Sequence, residues 1–196
     1  MSQGGHNHVV GTLLRTKIVD DASPIVYGLP DSLAVYSDAG QNFSITNVLG
    51  TRGRGDSSVA RPTGRGTADD FDVPQGRAAL DPKNELPKRK PVQPWQAAPV
   101  TDEQLRNPLT VIPPALRPRV VLRFSDQRNL LVSGLLDGND VAQRPVVVDV
   151  PSGKGHVVLF GNNPIYRGST IGSYFLVFNT LLNFDRLDAG RKLDTR

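Results

Sequence analysis

Asn162, Asn163, Tyr166, Arg167, Ser169 and Thr170 lie in one short stretch, immediately before a run of residues with helical spacing. A helix N-terminus presents unpaired N–H groups and a partial positive charge, which favours an anionic group. Arg167 adds a fixed cation with bidentate geometry, and Tyr166 a ring on which a ligand can stack. The chemistry this stretch supports is capture of a small anionic or sugar-like ligand at residues 162–170. A purely structural use of the same residues stays open: Asn162 and Asn163 satisfy backbone groups in a turn, and Arg167 pairs with a carboxylate such as Asp149.

Catalytic constellations are scarce. The chain has no cysteine, which removes disulfides, thiolate metal sites and cysteine nucleophiles. Of the three histidines, His6 and His8 sit near the N-terminus, and His156 opens an apolar strand-like run as an edge residue rather than a general base. A zinc peptidase needs paired His and Glu ligands on a rigid scaffold, and Val157, Val158 and Leu159 stand where such ligands would follow His156. No serine occupies a Gly-x-Ser-x-Gly elbow. Gly153-Lys154-Gly155 lacks the strand-to-helix setting of a phosphate loop and reads as a hairpin turn. No catalytic residue, metal ligand or cofactor is therefore assigned. Arg54-Gly55-Asp56 and Pro87-Lys88-Arg89-Lys90 read as solvated stretches of a Gly-, Arg- and Pro-rich segment.

The elements that must position the 162–170 stretch come from patterning. At 196 residues the chain has the length of one domain, with 38% hydrophobic and 21% charged residues, enough for a core. Lys and Arg number 23 against 19 Asp and Glu, a mixed surface that argues against a nucleic-acid partner. No run reaches the roughly 18 apolar residues of a membrane span. Residues 1–8 read as a disordered terminus. Residues 9–49 carry short apolar runs, Val9-Val10, Leu13-Leu14, Ile25-Val26-Tyr27 and Leu33-Ala34-Val35-Tyr36, which predict short strands. Residues 50–118 hold 11 of the 16 prolines and read as an extended insertion, either disordered or wrapped over the domain through Trp95, Val111 and Ile112.

Residues 119–187 read as the second part of the α/β domain, and 188–196 as a polar tail. Arg119–Phe124 predicts a strand, and Leu130–Leu136 a strand or helical turn. Pro145–Val150 and His156–Phe160 predict a hairpin closed by residues 151–155. Ile171, Tyr174, Phe175, Phe178, Leu181 and Leu182 recur at helical spacing, predicting a helix with one buried face, capped by Ser169 or Thr170.

Several of these segments in order, Arg119–Phe124, Leu131–Leu136, Gly153–Phe160, Tyr166-Arg167-Gly168 and Gly172–Asn179, resemble the C-terminal region of large bacterial zinc-carboxypeptidase-like proteins. Pro24–Pro30 and Leu33–Tyr36 resemble an earlier part of that region. The resemblance implies a partial flavodoxin-like sheet, similar to class I glutamine amidotransferases, with a β-hairpin and a C-terminal helix, interrupted by the Pro-rich segment. It implies a non-catalytic accessory domain, the C-terminal fragment of a longer protein, serving packing, oligomer contact or substrate positioning. The implied partners are a parent peptidase domain, which would carry the zinc, or a second copy of the chain, and the implied setting is secreted or periplasmic. Neither the His-x-x-Glu motif of the peptidase nor the amidotransferase cysteine has a match here, so no family activity transfers to a residue of this chain.

Overall fold

A computed structural model describes residues 9–38, 43, 45–48, 93–107, 109, 111–136 and 141–192. The N-terminal His6 and His8, the Arg54-Gly55-Asp56 tripeptide, the basic 87–90 stretch and the end of the chain lie outside the described residues.

The described residues form a curled antiparallel sheet, a half-barrel, with a C-terminal helix. Its strands are β1 (Val9–Ile18), β2 (Ser32–Ser37), β3 (Arg119–Phe124), β4 (Leu131–Leu136), β5 (Pro145–Ser152) and β6 (Gly155–Phe160), in the order β2-β1-β3-β5-β6, with β4 also on β1. The two apolar pairs of residues 9–14 therefore belong to one long strand. Its one edge pairs with β2, while the other meets β3 through Thr16–Ile18 and β4 through Val9–Leu14. Register shifts between Val10 and Leu14 mark an irregularity of the kind that raises local twist and lets the sheet curl.

β5 lies between β3 and the edge strand β6. Pro145 to Asp149 are all buried, as expected where both faces of a strand are covered. Val146 and Val147 join Leu14, Val35, Val121, Leu122, Phe124, Leu130 and Leu176 in the core. Burying each of these side chains contributes about 1.5–3 kcal/mol. The mixed α/β class, the hairpin and the C-terminal helix are as expected. A doubly wound flavodoxin-like sheet is built on parallel strands, whereas every strand pairing among the described residues is antiparallel.

Two local expectations are corrected. Ile25 and Val26 lie in a short 3-10 helix, Pro24–Val26, instead of a strand. Pro24 fixes φ and needs no N–H partner at the first helical position, and Val26 and Tyr27 close i→i−3 bonds to Ser23 and Pro24. The hairpin turn is Gly153-Lys154, two residues instead of five, because Ser152 still pairs with Gly155. Gly153 sits at φ +61°, a conformation that two-residue hairpin turns demand and glycine tolerates.

The later part of the Pro-rich stretch lies against the sheet. Trp95 N–H donates to Gln143 O at 3.2 Å, and the Arg123 guanidinium donates to Trp95 O. Val111 bridges to Val48, and Ile112 N–H donates to Asn47 O at 2.9 Å. Between these anchors a single turn, α1 (Asp102–Leu105), carries a capping box of Thr101 and Gln104.

The helix α2 (Ile171–Leu182) forms where the spacing predicts it. Its orientation is the opposite of the expectation. The buried residues are Ser173 and Leu176, while Ile171, Phe175, Phe178, Leu181 and Leu182 are exposed. The helix packs on β2 and on the 3-10 turn, where Asn179 donates from Nδ2 to Ile25 O at 3.1 Å and Tyr27 O at 2.9 Å. Gly172 permits the close approach: a Cβ there would stand 2.9 Å from Leu33 Cδ1. Leu176 and the small or polar Gly172, Ser173 and Asn179 thus face the domain, and Ile171, Phe175, Phe178, Leu181 and Leu182 face away from it.

Candidate functional site

The 162–170 loop leaves β6 and is tied at once to β2. Gly161 N–H donates to Val146 O at 2.7 Å, and Asn163 N–H donates to Tyr36 O at 3.0 Å. That tie places Tyr36 beneath the loop. The Tyr36 and Tyr166 rings stack with centroids 3.7 Å apart and planes at 4°, and Arg167 lies over Tyr166 with Cζ 5.4 Å from the ring centre. The Tyr36 phenol is pushed above its ordinary value, chiefly by its hydrogen bond to the Tyr166 side chain and then by burial.

The loop's turn is held by backbone of unusual hand. Arg167 takes φ +42° and Gly168 φ +73°, and a non-glycine residue in that region is uncommon. Gly168 N–H donates to Tyr174 Oη at 2.8 Å, and Ser173 Oγ donates to Pro164 O at 2.7 Å. Ser169 is exposed. Thr170 is buried at the N-cap position but makes no side-chain cap bond; its hydroxyl instead meets Ser173 Oγ at 2.9 Å, which corrects the expected capping role. Asn162 is buried, and neither of its amide atoms has a hydrogen-bond partner, whereas Asn163 is half-buried. The structure therefore gathers Tyr166 and Arg167 with Tyr36, a residue that sequence reasoning did not place at the site.

Arg167 does not pair with Asp149. That carboxylate, with no exposed surface, accepts from His156 Nδ1 at 2.7 Å and from Arg191 Nη2 at 2.8 Å. Asp188 completes the cluster, 3.4 Å from His156 Nε2 and 2.9 Å from Arg191 Nε. Because an ionised carboxylate only accepts, Nδ1 of His156 carries the proton toward Asp149. Both imidazole nitrogens thus face carboxylates, an arrangement that orients the ring and fastens the segment of Asp188 and Arg191 to the sheet. Beside this cluster Arg119 donates to Asp20 at 2.6 Å and to the carbonyls of Leu187 and Ala189. Asp188 and Arg191, read from the sequence as the start of a polar tail, are therefore bonded to the sheet.

A signal for this cluster exists in the sequence. Asp149 is a lone carboxylate in the run Val146-Val147-Val148-Asp149-Val150, and hairpin register sets it opposite Val158, diagonal to His156. A buried strand carboxylate requires a donor. Among the described residues no group of three His, Asp or Glu is placed to hold a metal ion.

The outer surface of α2 is the remaining feature. Ile171, Phe175, Phe178 and Leu182 are 66, 51, 48 and 78% exposed, with Leu181 and Phe184 beside them at 65 and 72%. Phe175 and Phe178 meet edge to face with centroids 6.4 Å apart. Between this helix and the edge strand β6 runs an apolar trough of about 470 Å³, lined by residues that include Val158, Phe160, Val177, Leu181 and Phe184. No protein-family model, no curated protein and no solved structure matches this chain. Among the described residues no helix is long and apolar enough to cross a membrane.

Proposed function

We propose that this chain is a non-catalytic accessory domain that works by contact, with the outer face of α2 as its docking surface. The observation that carries the reading is the outward turn of Ile171, Phe175, Phe178 and Leu182 while Ser173 and Leu176 face inward. Soluble surfaces scatter large apolar residues singly, and a contiguous patch marks an interaction site. At about 25 cal/mol per Å² of apolar surface, covering this patch is worth several kcal/mol to an assembly. The resemblance to the tail of zinc-carboxypeptidase-like proteins supports the same reading, since such a tail serves packing, oligomer contact or substrate positioning. Its finer implication, a flavodoxin-like sheet, gains nothing from the antiparallel pairing described above.

The test separates a contact face from a core face. The double variant Phe175→Glu/Phe178→Glu is expected to remain folded and to unfold cooperatively. Leu176→Ala, which empties a fully buried position, is expected to lose about 2–5 kcal/mol in urea unfolding. Loss of cooperative unfolding in the double variant would show that the face belongs to the domain's own core and would end the contact reading.

A second reading rests on a different observation, the Tyr36–Tyr166 stack with Arg167 above it and the unpartnered amide of Asn162 nearby. These groups suit an anionic or sugar-like ligand laid on the rings. Thermal unfolding with a uronic acid as probe is expected to show stabilisation that Arg167→Ala abolishes. Equal stabilisation of both proteins would leave Arg167 a structural residue.

A further inference from the structure

We propose that the partner seated on α2 is a second copy of this chain, with the two helices antiparallel across a two-fold axis that passes between Leu176 and Val177. This inference rests on the contact reading of α2. Ile171, Phe175, Phe178 and Leu182 are spaced 4, 3 and 4 residues apart, the alternation of a coiled-coil seam. The seam is its own complement when reversed. An antiparallel pair places Ile171 against the partner's Leu182 and Phe175 against the partner's Phe178, so every layer is apolar on both sides. A two-fold interface must satisfy this condition, because the same patch meets itself.

Charge and area agree. The helix Ile171–Leu182 contains no ionisable Asp, Glu, Lys, Arg or His, so no like charges meet along the seam, and antiparallel packing opposes the two helix dipoles favourably. With each aromatic side chain presenting roughly 150–250 Å², the six exposed side chains of the patch offer on the order of 700 Å². A standard interface buries about 800 Å² per partner. The adjoining trough, lined by Val158, Phe160, Val177 and Leu181, supplies further apolar surface for such an interface.

Other occupants fit less well. In residues 49–92 of this chain the large apolar residues Leu49, Val59, Phe71, Val73, Leu80, Leu86 and Val92 are scattered without a seam of matching spacing. A lipid surface selects helices whose polar face is rich in Lys and Arg, and this helix has neither.

Because the chain has no cysteine, crosslinking reads the geometry directly. The double variant Ile171→Cys/Leu182→Cys, oxidised mildly, is expected to form a covalent dimer in which peptide mapping joins position 171 of one chain to 182 of the other. Eleven residues of helix, about 16 Å, keep the two thiols of one chain too far apart to join. Each single cysteine variant is expected to remain uncrosslinked. Links between 171 and 171 would overturn the antiparallel arrangement. In sedimentation equilibrium the unaltered chain is expected at twice the 21.2 kDa chain mass. Phe175→Glu/Phe178→Glu is expected to weaken association by at least about a hundredfold.

A chain of 21.2 kDa at all concentrations up to the solubility limit would overturn the second-copy proposal. If the double glutamate variant still folds in that case, the contact reading survives with a different partner; cosedimentation of the unaltered chain with phosphatidylglycerol vesicles would then assign the face to lipid. If the double variant unfolds, both readings fall. Dimers that persist in the double variant would place the interface elsewhere.

Discussion

Arg191 donates from Nη2 to Oδ2 of Asp149 at 2.8 Å, linking the turn after α2 to the buried strand β5 across 42 residues of sequence. Both side chains are sealed, at 8% and 0% exposure. The bond makes the segment after α2 part of the fold, and it holds the helix from its C-terminal side while Asn179 holds it from the middle. The segment that follows α2 is therefore anchored to the sheet by a buried charge pair.

Removing one partner leaves a buried charge unmatched, which costs about 3–5 kcal/mol. Arg191→Met and Asp149→Asn are each expected to show losses of that order in urea unfolding. The double variant is expected to lose less than the two single losses added, because no charge is then left alone. Strict additivity of the two losses would show that the two residues act independently.

The Tyr36 phenol has its ionisation pushed up by Tyr166. Its folded value exceeds the unfolded one, so the stability that the pair contributes is complete below the ordinary tyrosine range near about 10 and declines as pH rises through the folded value. An ultraviolet titration of tyrosinate is expected to show one late-ionising tyrosine, and Tyr166→Phe should bring it back toward the ordinary value. An unchanged titration in Tyr166→Phe would assign the shift to another cause.

Gly190 takes φ +68°, and a Cβ on it would stand 2.6 Å from both Cβ and O of Ala22. Gly153, at φ +61°, has nothing within 4 Å of such an atom. Gly153→Ala is expected to lose only the conformational cost, about 1–2 kcal/mol. Gly190→Ala should lose more, because backbone must also shift to admit the methyl group. Equal denaturation midpoints for the two variants would show that the turn yields freely at Ala22.

Trp95, the only tryptophan, is half-buried and bound to the domain through Gln143 and Arg123. Its emission is expected to be blue-shifted relative to the urea-unfolded chain and partly shielded from acrylamide. Arg123→Met should move it to the red by releasing the Trp95 carbonyl. Emission already at the solvated wavelength in the unaltered chain would show that the stretch around Trp95 leaves the sheet in solution.

Local pattern made several elements legible. The β-branched runs at 119–124, 145–150 and 156–160 are strands, and the aromatic and aliphatic spacing from Ile171 to Leu182 is a helix, because side-chain period follows directly from backbone geometry. The same pattern misplaced Ile25 and Val26, where a proline at the first position outweighed β-branched composition. In the loop, Tyr166 and Arg167 stood out by type, but Tyr36 did not, because its role comes from a bridge to Asn163 across 127 residues.

Periodicity establishes only that Ile171, Phe175, Phe178 and Leu182 share a stripe. Which stripe turns inward was decided by the surface that receives the helix: β2 and the 3-10 turn come close enough to admit Gly172, Ser173 and Leu176. The covalent order of the chain thus determined where the helix lies and which side chains it groups together. Only the tertiary structure decided that its most apolar face would be left outside, since that depends on the shape and hydrogen-bonding demand of a surface assembled from distant segments, which no local pattern encodes.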